Sequence, residues 1–397
     1  MKDTENRPRA ALWLLVMITI SGTLAMHMFV PALPDAARTL GVSNSAMQMT
    51  ISVYILGLAG GQLVYGPLSD GLGRRPMLLI GLALYTLAGL AALLATSIHA
   101  LIAARLLQAL GGCAGLALGR AIVRDTAPPD QAVRALALMN LMMMIGPGLA
   151  PLLGSVLVTL SGWRSIFVLL TLLGALTLLL TWRMIPETGK PSGTISVAVL
   201  LRDYGALLRS PTYLGFAVGG GCATTSIYAF IAAAPFIITG QLHRPLHEVG
   251  LYLGMLIVGM SLGNALTRRL VLAVSVERLL LVGNAVSVLS AAALLYAVLN
   301  DRLTVAVTIS LMFVYALGAG TCSPAALSKS LEVDRHLVGS AAGLYGCTQM
   351  AVGALCTFVA GLGENPALAV ACVMTVAALC GQAGFWIALG QRRRAGA

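Results

Sequence analysis

The chain predicts an all-α membrane protein of twelve transmembrane helices, and three observations carry that prediction. Of its 397 residues, 58% are hydrophobic and only 10% are charged, whereas a soluble chain keeps about a quarter of its residues charged. Apolar runs of bilayer length recur from end to end; a span needs roughly 20 residues, so twelve spans use about 240 positions. None of the runs alternates residue by residue as the strands of an outer-membrane barrel do.

Charge-poor runs between charged or Pro/Gly breaks place the spans at about 11–33, 46–68, 76–97, 101–119, 136–160, 165–182, 213–239, 249–267, 279–299, 304–327, 338–362 and 367–389. Span 1 follows Lys2, Arg7 and Arg9 as a signal peptide would. Its apolar run exceeds a normal h-region and lacks a clean cleavage site, so it reads as an uncleaved first span.

An even number of spans puts both termini on one side, and the basic residues identify that side. Twenty of the 25 fall on one set of loops and tails, among them Arg74, Arg75, Arg120, Arg124, Arg183, Arg268, Arg269, Arg278, Lys329 and Arg392. Only Arg38, Arg164, Arg244 and Arg302 fall on the other, and Arg105 lies inside span 4. The positive-inside rule makes the termini cytoplasmic. The net charge of +11 is thus spread over many short loops, with no basic patch interleaved with aromatics for nucleic acid.

All seven cysteines, Cys113, Cys222, Cys322, Cys347, Cys356, Cys372 and Cys380, fall in the spans without metal-ligand spacing. They read as small buried packing residues.

The longest connection divides the chain into residues 1–183, a linker over 184–211, and residues 212–397. Within the linker Val197, Leu200, Leu201, Tyr204, Leu207 and Leu208 recur at helical spacing. This is a short amphipathic helix, either on the membrane face or packed on the protein. A weak repeat supports two six-span halves. Gly61 with Leu78 to Gly81 matches Gly263 with Leu280 to Gly283 at an offset of 202, and Ala109-Leu110-Gly111 recurs as Ala316-Leu317-Gly318. Repeated halves are the mark of alternating-access transporters, whose substrate site lies between them.

The loop between spans 2 and 3 reads Gly66-Pro67-Leu68-Ser69-Asp70-Gly71-Leu72-Gly73-Arg74-Arg75-Pro76. Its glycines permit tight turns and close helix approach, and Asp70 is placed to cap a helix start or pair with the arginines. Here the chain resembles the major facilitator superfamily, whose signature at this loop has Gly, Asp, Gly, Arg and Arg at these spacings. The resemblance implies the facilitator fold of two pseudo-symmetric six-helix bundles. It also implies a conformational latch formed by Gly66, Asp70, Gly73, Arg74 and Arg75, in which Asp70 and Arg74 help hold the halves outward-open.

Span 4 places Arg105 where an unpaired charge is costly and normally faces a cavity or a partner. Arg105, Gln108 and Gly111 match an Arg-x-x-Gln-x-x-Gly pattern tied to proton coupling in the superfamily's drug-export branch; snorkelling to the interface is the alternative. In span 5, prolines that break backbone hydrogen bonds alternate with glycines that admit a neighbour. Gly146, Pro147, Pro151 and Gly154 resemble the antiporter signature of exporters, with Ala150 and Ser155 as small-residue substitutions. Gly162-Trp163-Arg164 and Val30-Pro31-Ala32-Leu33-Pro34 further resemble the bicyclomycin and chloramphenicol resistance (Bcr/CflA) branch. The second-half copy of the latch loop lacks the acid and keeps mainly Arg268 and Arg269.

One departure bears on energy coupling. Relatives commonly carry an Asp in span 1 where this chain has His27, and all fourteen acidic residues fall in loops, tails or span ends. His27, at a depth similar to Arg105 by helix rise, is the candidate to titrate in place of the Asp, with Asp35 second; a packing histidine is the alternative. Polar or aromatic side chains expected at a substrate cavity are Phe29, Tyr54, Gln108, Asn140, Tyr228, Phe230, Tyr315 and Gln349, with Met139, Met142, Met143 and Met144 as a soft surface in span 5.

The function expected is secondary export of a small molecule, such as an amphenicol, bicyclomycin or a native metabolite, in exchange for protons. A siderophore exporter of the same fold, and a proton-coupled importer or facilitator, are the alternatives. The implied partners are the substrate, protons and the bilayer, with no cofactor, no metal, no nucleic acid and a monomeric state. No nucleotide-binding loop, metal pair or activated nucleophile suggests an enzyme.

Overall fold

The computed structural model describes residues 11–126, 129–189, 197–333 and 337–395. In chain order the spans are Leu12–Leu40, Asn44–Leu72, Arg74–Leu93, Ile98–Thr126, Pro129–Ser161, Arg164–Met184, Pro211–Gln241, Leu246–Leu270, Val276–Leu299, Val305–Leu331, Val338–Gly361 and Pro366–Ala395. Eleven helical segments among the described residues are long and apolar enough to cross a membrane. The remaining span is the 33-residue helix Pro129–Ser161, whose described apolar stretch is Gly148–Ser161.

Several helices overrun the apolar stretches that predict them. Hydropathy stops at the first charge, but the backbone stays helical through residues such as Asp70, Asp125 and Arg392. Span 1 continues through a 3₁₀ turn at Val30–Ala32 to Leu40, where Gly41 ends it at φ 64° with its N–H donating to the carbonyls of Ala37 and Arg38. Spans 2, 7, 9 and 10 start at Ser43, Ser210, Ser275 and Thr304, whose hydroxyls accept backbone N–H groups three residues on. Pro235 lies inside span 7, which closes in a π turn over Ile237–Gln241. Large apolar side chains such as Leu87, Leu160, Leu172 and Leu289 project outward, as a surface solvated by acyl chains requires.

Helix pairing repeats after six spans. Spans 3 and 4, 2 and 4, 1 and 4, 1 and 5, and 3 and 6 pack together; so do 9 and 10, 8 and 10, 7 and 10, 7 and 11, and 9 and 12. The weak sequence repeat falls on these crossings. A Cβ on Gly111 would meet Gly81 O at 2.6 Å, and one on Gly318 would meet Gly283 O at 2.6 Å. A Cβ on Gly61 would run into Cys113 on span 4, and one on Gly263 into Leu317 and Gly320 on span 10. Gly111 and Gly318 are therefore matching sites where two backbones touch in each half, whereas Gly61 makes room for the Cys113 side chain and Gly263 for the backbone of span 10.

Between the halves, span 2 packs on span 11 and span 5 on span 8. Twelve crossings bring the first and last described residues, Ala11 and Ala395, to one face, the terminal face; the opposite is the distal face. Near the distal face the second part of span 7, Ile227–Phe236, also crosses between the halves, packing on Val30–Ala32, on Leu33–Leu40 and on span 2. Towards the terminal face, spans 2 and 11 stay joined where the side chain of Gln62 lies against Gly346. The linker helix Val197–Leu208 buries Leu207 and sends the Tyr204 hydroxyl to Leu63 O at 3.5 Å, while Leu201 and Leu208 stay exposed. It packs on the protein and leaves part of its apolar stripe outward.

The cysteines correct one expectation. Cys113, Cys222, Cys322 and Cys356 are buried, but Cys372 and Cys380 are exposed on the outside of span 12, where small apolar residues are solvated by lipid as readily as larger ones.

Candidate functional site

Two candidate clusters lie in the first half. At the terminal face, Gly73 stands between spans 2 and 3 at φ 104°, a conformation favouring glycine, and its N–H donates to Ser69 O. This turn swings Arg74 back along span 2. Its guanidinium pairs with Asp70 at 2.7 Å and with Asp125 of span 4 at 3.3 Å, and also donates to the Ser69 hydroxyl. Arg75 donates to Trp182 O at 2.7 Å. Glu187, just past span 6, accepts the backbone N–H of Arg74 at 2.9 Å and of Arg75 at 3.2 Å. These bonds fasten spans 2, 3, 4 and 6 together at one corner. Gly66 is different in kind, since open space surrounds the position of its missing Cβ.

The second cluster surrounds Arg105, which is fully buried and does not snorkel. Spans 1 and 4 approach closely because Gly22 faces Gly112, where a Cβ on either would meet backbone within 3 Å. That crossing lets Arg105 reach across to span 1. Its Nη1 donates to Ala25 O at 3.3 Å and to Gln108 Oε1 at 2.8 Å. The guanidinium carbon lies 4.0 Å from the ring centre of Tyr54, 5.2 Å from Phe29 and 5.8 Å from Phe167. The Tyr54 hydroxyl is anchored to Gly22 O at 2.6 Å and that of Tyr85 to Ser21 O at 3.2 Å. The cage supplies π faces to a buried cation, and no carboxylate pairs with Arg105 among the described residues.

His27 lies elsewhere on span 1. Two residues along a helix turn about 200°, so His27 points away from the side of span 1 that meets Arg105. Its ring is 4% exposed and sits edge-on to Tyr228 of span 7, centroids 6.2 Å apart. The two candidate coupling residues therefore share depth but not a face. Asp35 caps the loop between spans 5 and 6: it accepts the Trp163 N–H at 3.3 Å and pairs with Arg38 at 3.2 Å.

The span 5 motif packs at the seam of the halves. A Cβ on Gly154 would strike the carbonyl of Met28 and meet Pro31 at 3.1 Å. From span 8, Gly250 approaches so closely that its missing Cβ would lie 2.8 Å from Pro151 O and 2.9 Å from the Ser155 hydroxyl. Gly146 faces Ile20. The side chains of Asn140, Met143, Met144 and Pro147 lie outside the described residues; Met139 is buried.

The remaining cavity candidates divide between the halves. Phe29, Tyr54 and Gln108 belong to the Arg105 cage. Tyr315 and Gln349 join a hydroxyl cluster on span 7, where the Tyr315 hydroxyl lies 2.6 Å from that of Ser226 and Gln349 donates to Thr224 at 2.8 Å. Tyr228 bridges to span 1, and Phe230 is packed two residues further on and buried. Sequence reasoning misses Asp125, Phe167, Tyr85, Ser226 and Glu187. Glu187 and Asp125 had a local signal, each an acid at a span end amid basic residues.

Comparison with known proteins fits this architecture. The chain is 28% identical over 400 residues to an uncharacterized MFS-type transporter, YdgK of Bacillus subtilis, covering 97% of each. It is 28% identical to a bicyclomycin resistance protein homolog of Haemophilus influenzae, covering 86% of each. Among solved structures, a bacterial homolog of the human lysosomal transporter Spinster, inward-facing and occupied, superposes with a TM-score of 0.73 at 15% identity, covering 95% of this chain and 96% of that one. The Major Facilitator Superfamily profile matches residues 15–357, and the chain belongs to that superfamily.

Proposed function

We propose that this transporter exports a small molecule across the bacterial inner membrane in exchange for protons, by alternating access. The observation that carries the reading is the span 5 seam. Pro151 and Gly154, the clearest residues of the exporter-like motif, lie where span 5 meets span 1 and span 8 at the distal closure. A motif placed there sets how the halves part on the releasing side. The similarity to a bicyclomycin resistance protein homolog supports a drug-sized cargo, and a native siderophore fits the same reading.

We read the terminal face as cytoplasmic from its basic loops, which puts the closed contact of span 7 with span 1 on the opposite, periplasmic side. His27 is the proposed proton carrier, because it is a buried titratable group at the contact between spans 1 and 7 and no span carries a central acid. We read the functional unit as a monomer of two halves, residues 1–183 and 212–397.

The test compares cells with and without the protein for susceptibility to, and accumulation of, amphenicols, bicyclomycin, dyes and siderophores. Lower accumulation, abolished by a protonophore, is expected for at least one compound. A rise in intracellular compound on expression would overturn export.

A further inference from the structure

The hydrogen bonding of Arg105 is half complete. Nη1 is used by Ala25 O and Gln108 Oε1, but Nε and Nη2 have no partner although the residue is wholly buried. Those two nitrogens share one edge of the guanidinium, the edge that meets a carboxylate with two parallel N–H···O bonds. Gln108, whose Oε1 accepts from Arg105, also leaves its Nε2 donor without a partner. The rings of Phe29, Tyr54 and Phe167 attract the positive charge, yet π faces do not accept hydrogen bonds as a carboxylate oxygen does. A buried cation with its bidentate edge vacant, beside a second unmatched donor on Gln108, is complementary to a planar anion.

We propose that the Nε/Nη2 edge of Arg105 is a carboxylate-binding site. The carboxylate comes either from the exported molecule or from a small free acid; the assignment to cargo rests on the export reading, the site itself does not. Access is tied to the movement of the halves. Phe29, which closes one side of the cage, is followed directly by the turn Val30–Ala32 that packs on Ile227–Phe236 of span 7. Parting of the halves at the distal face frees that turn and opens the cage.

The test uses full-length protein in detergent at constant ionic strength, with radiolabelled p-aminohippurate, its neutral amide, acetate and chloride as probes. Saturable binding of p-aminohippurate, displaced by acetate but not by the amide or by chloride, is expected. Arg105→Lys keeps the charge but loses the edge, and weakens binding at least tenfold. Equal binding of acid and amide, equal displacement by chloride and acetate, or unchanged affinity in Arg105→Lys overturns the site. The acid and amide series on the unaltered protein stands if Arg105→Lys does not fold. Energised vesicles then separate the sources. Uptake of p-aminohippurate into inverted vesicles assigns the carboxylate to cargo, and binding without uptake assigns it to a free acid. Absence of any export in cells, with binding intact, counts against the export reading alone.

Discussion

The backbone N–H of Arg74 donates to Oε1 of Glu187 at 2.9 Å, tying the first residue of span 3 to the chain just beyond span 6. The same carboxylate accepts from Arg75 at 3.2 Å, Thr188 at 3.0 Å and Gly189 at 2.9 Å. It serves as the N-terminal cap that Gly73, having no side chain, does not provide. Glu187→Ala is expected to cost about 1–2 kcal/mol, since the carboxylate is exposed and water replaces part of what it offers. Glu187→Gln retains one acceptor oxygen and should fall between. Thermal unfolding of the purified protein in detergent measures this, and an unchanged midpoint in Glu187→Ala removes Glu187 from the cluster.

The paired glycines predict matched losses in the two halves. Alanine at Gly111 would press on the backbone of Gly81 and Tyr85, and alanine at Gly318 on that of Gly283 and Ser287. Backbone cannot move aside as a flexible side chain does, so each substitution is expected to destabilise by about 1–3 kcal/mol. Gly66→Ala meets open space and should change stability by no more than about 0.5 kcal/mol. Melting temperatures of the three variants decide the matter; a Gly66→Ala loss as large as the other two would show that the latch glycine is needed for something other than room.

A third prediction concerns the terminal face of the second half, where Lys329 pairs with Glu277 at 2.6 Å and Glu332 at 3.2 Å, and Arg392 pairs with Glu332 at 2.9 Å. Partial burial works to raise the Glu332 pKa, but hydrogen bonds from Arg392 and Lys329 outweigh it and hold the carboxyl below its ordinary range. A lowered folded-state value means stability that is present above the ordinary glutamate pKa of about 4.3 and is lost as pH falls through the lowered value. Melting temperature should therefore drop on acidification below about pH 4, less steeply in Glu332→Gln. Glu332 and Arg392 keep contact with solvent, so the effect is small; parallel profiles for the two proteins would mean the network adds no stability.

What the sequence made legible follows physical range. Span positions, the repeat and the latch loop rest on patterns within a few helical turns, and the repeat includes Gly111 and Gly318, which mark matching backbone contacts in the two halves. The partners of Arg74 could not be read that way, because Asp125 and Glu187 lie 51 and 113 residues away. Arg105 is the middle case. Its need for an explanation was visible as a charge inside a span, but whether it snorkelled or was caged depended on the close approach of Gly22 to Gly112, which brings span 1 within reach. The facing of His27 was likewise invisible, since helix rise gives depth and only the packing of span 1 against both spans 4 and 7 gives direction.

That direction yields the sharpest prediction for energy coupling. His27 meets Tyr228 across the seam, with ring planes at 61° and almost no exposure. The side chain facing it from span 7 is a neutral phenol, and Asp35, further along span 1, is engaged by Arg38 and the Trp163 N–H. A proton on His27 thus introduces a positive charge between the halves with no acid to balance it. The protonated form is expected to favour halves parted at the distal face, where water reaches the ring, and the neutral form to favour the closed contact seen here. Spin labels on the distal ends of spans 1 and 7 should move apart on acidification in the native protein and stay together in His27→Phe, which keeps the edge-on ring contact but cannot take the proton. In proteoliposomes His27→Ala should abolish substrate-induced proton movement and His27→Asp should retain it. Proton movement undiminished in His27→Ala would sink the assignment and leave the histidine as a packing residue of the seam.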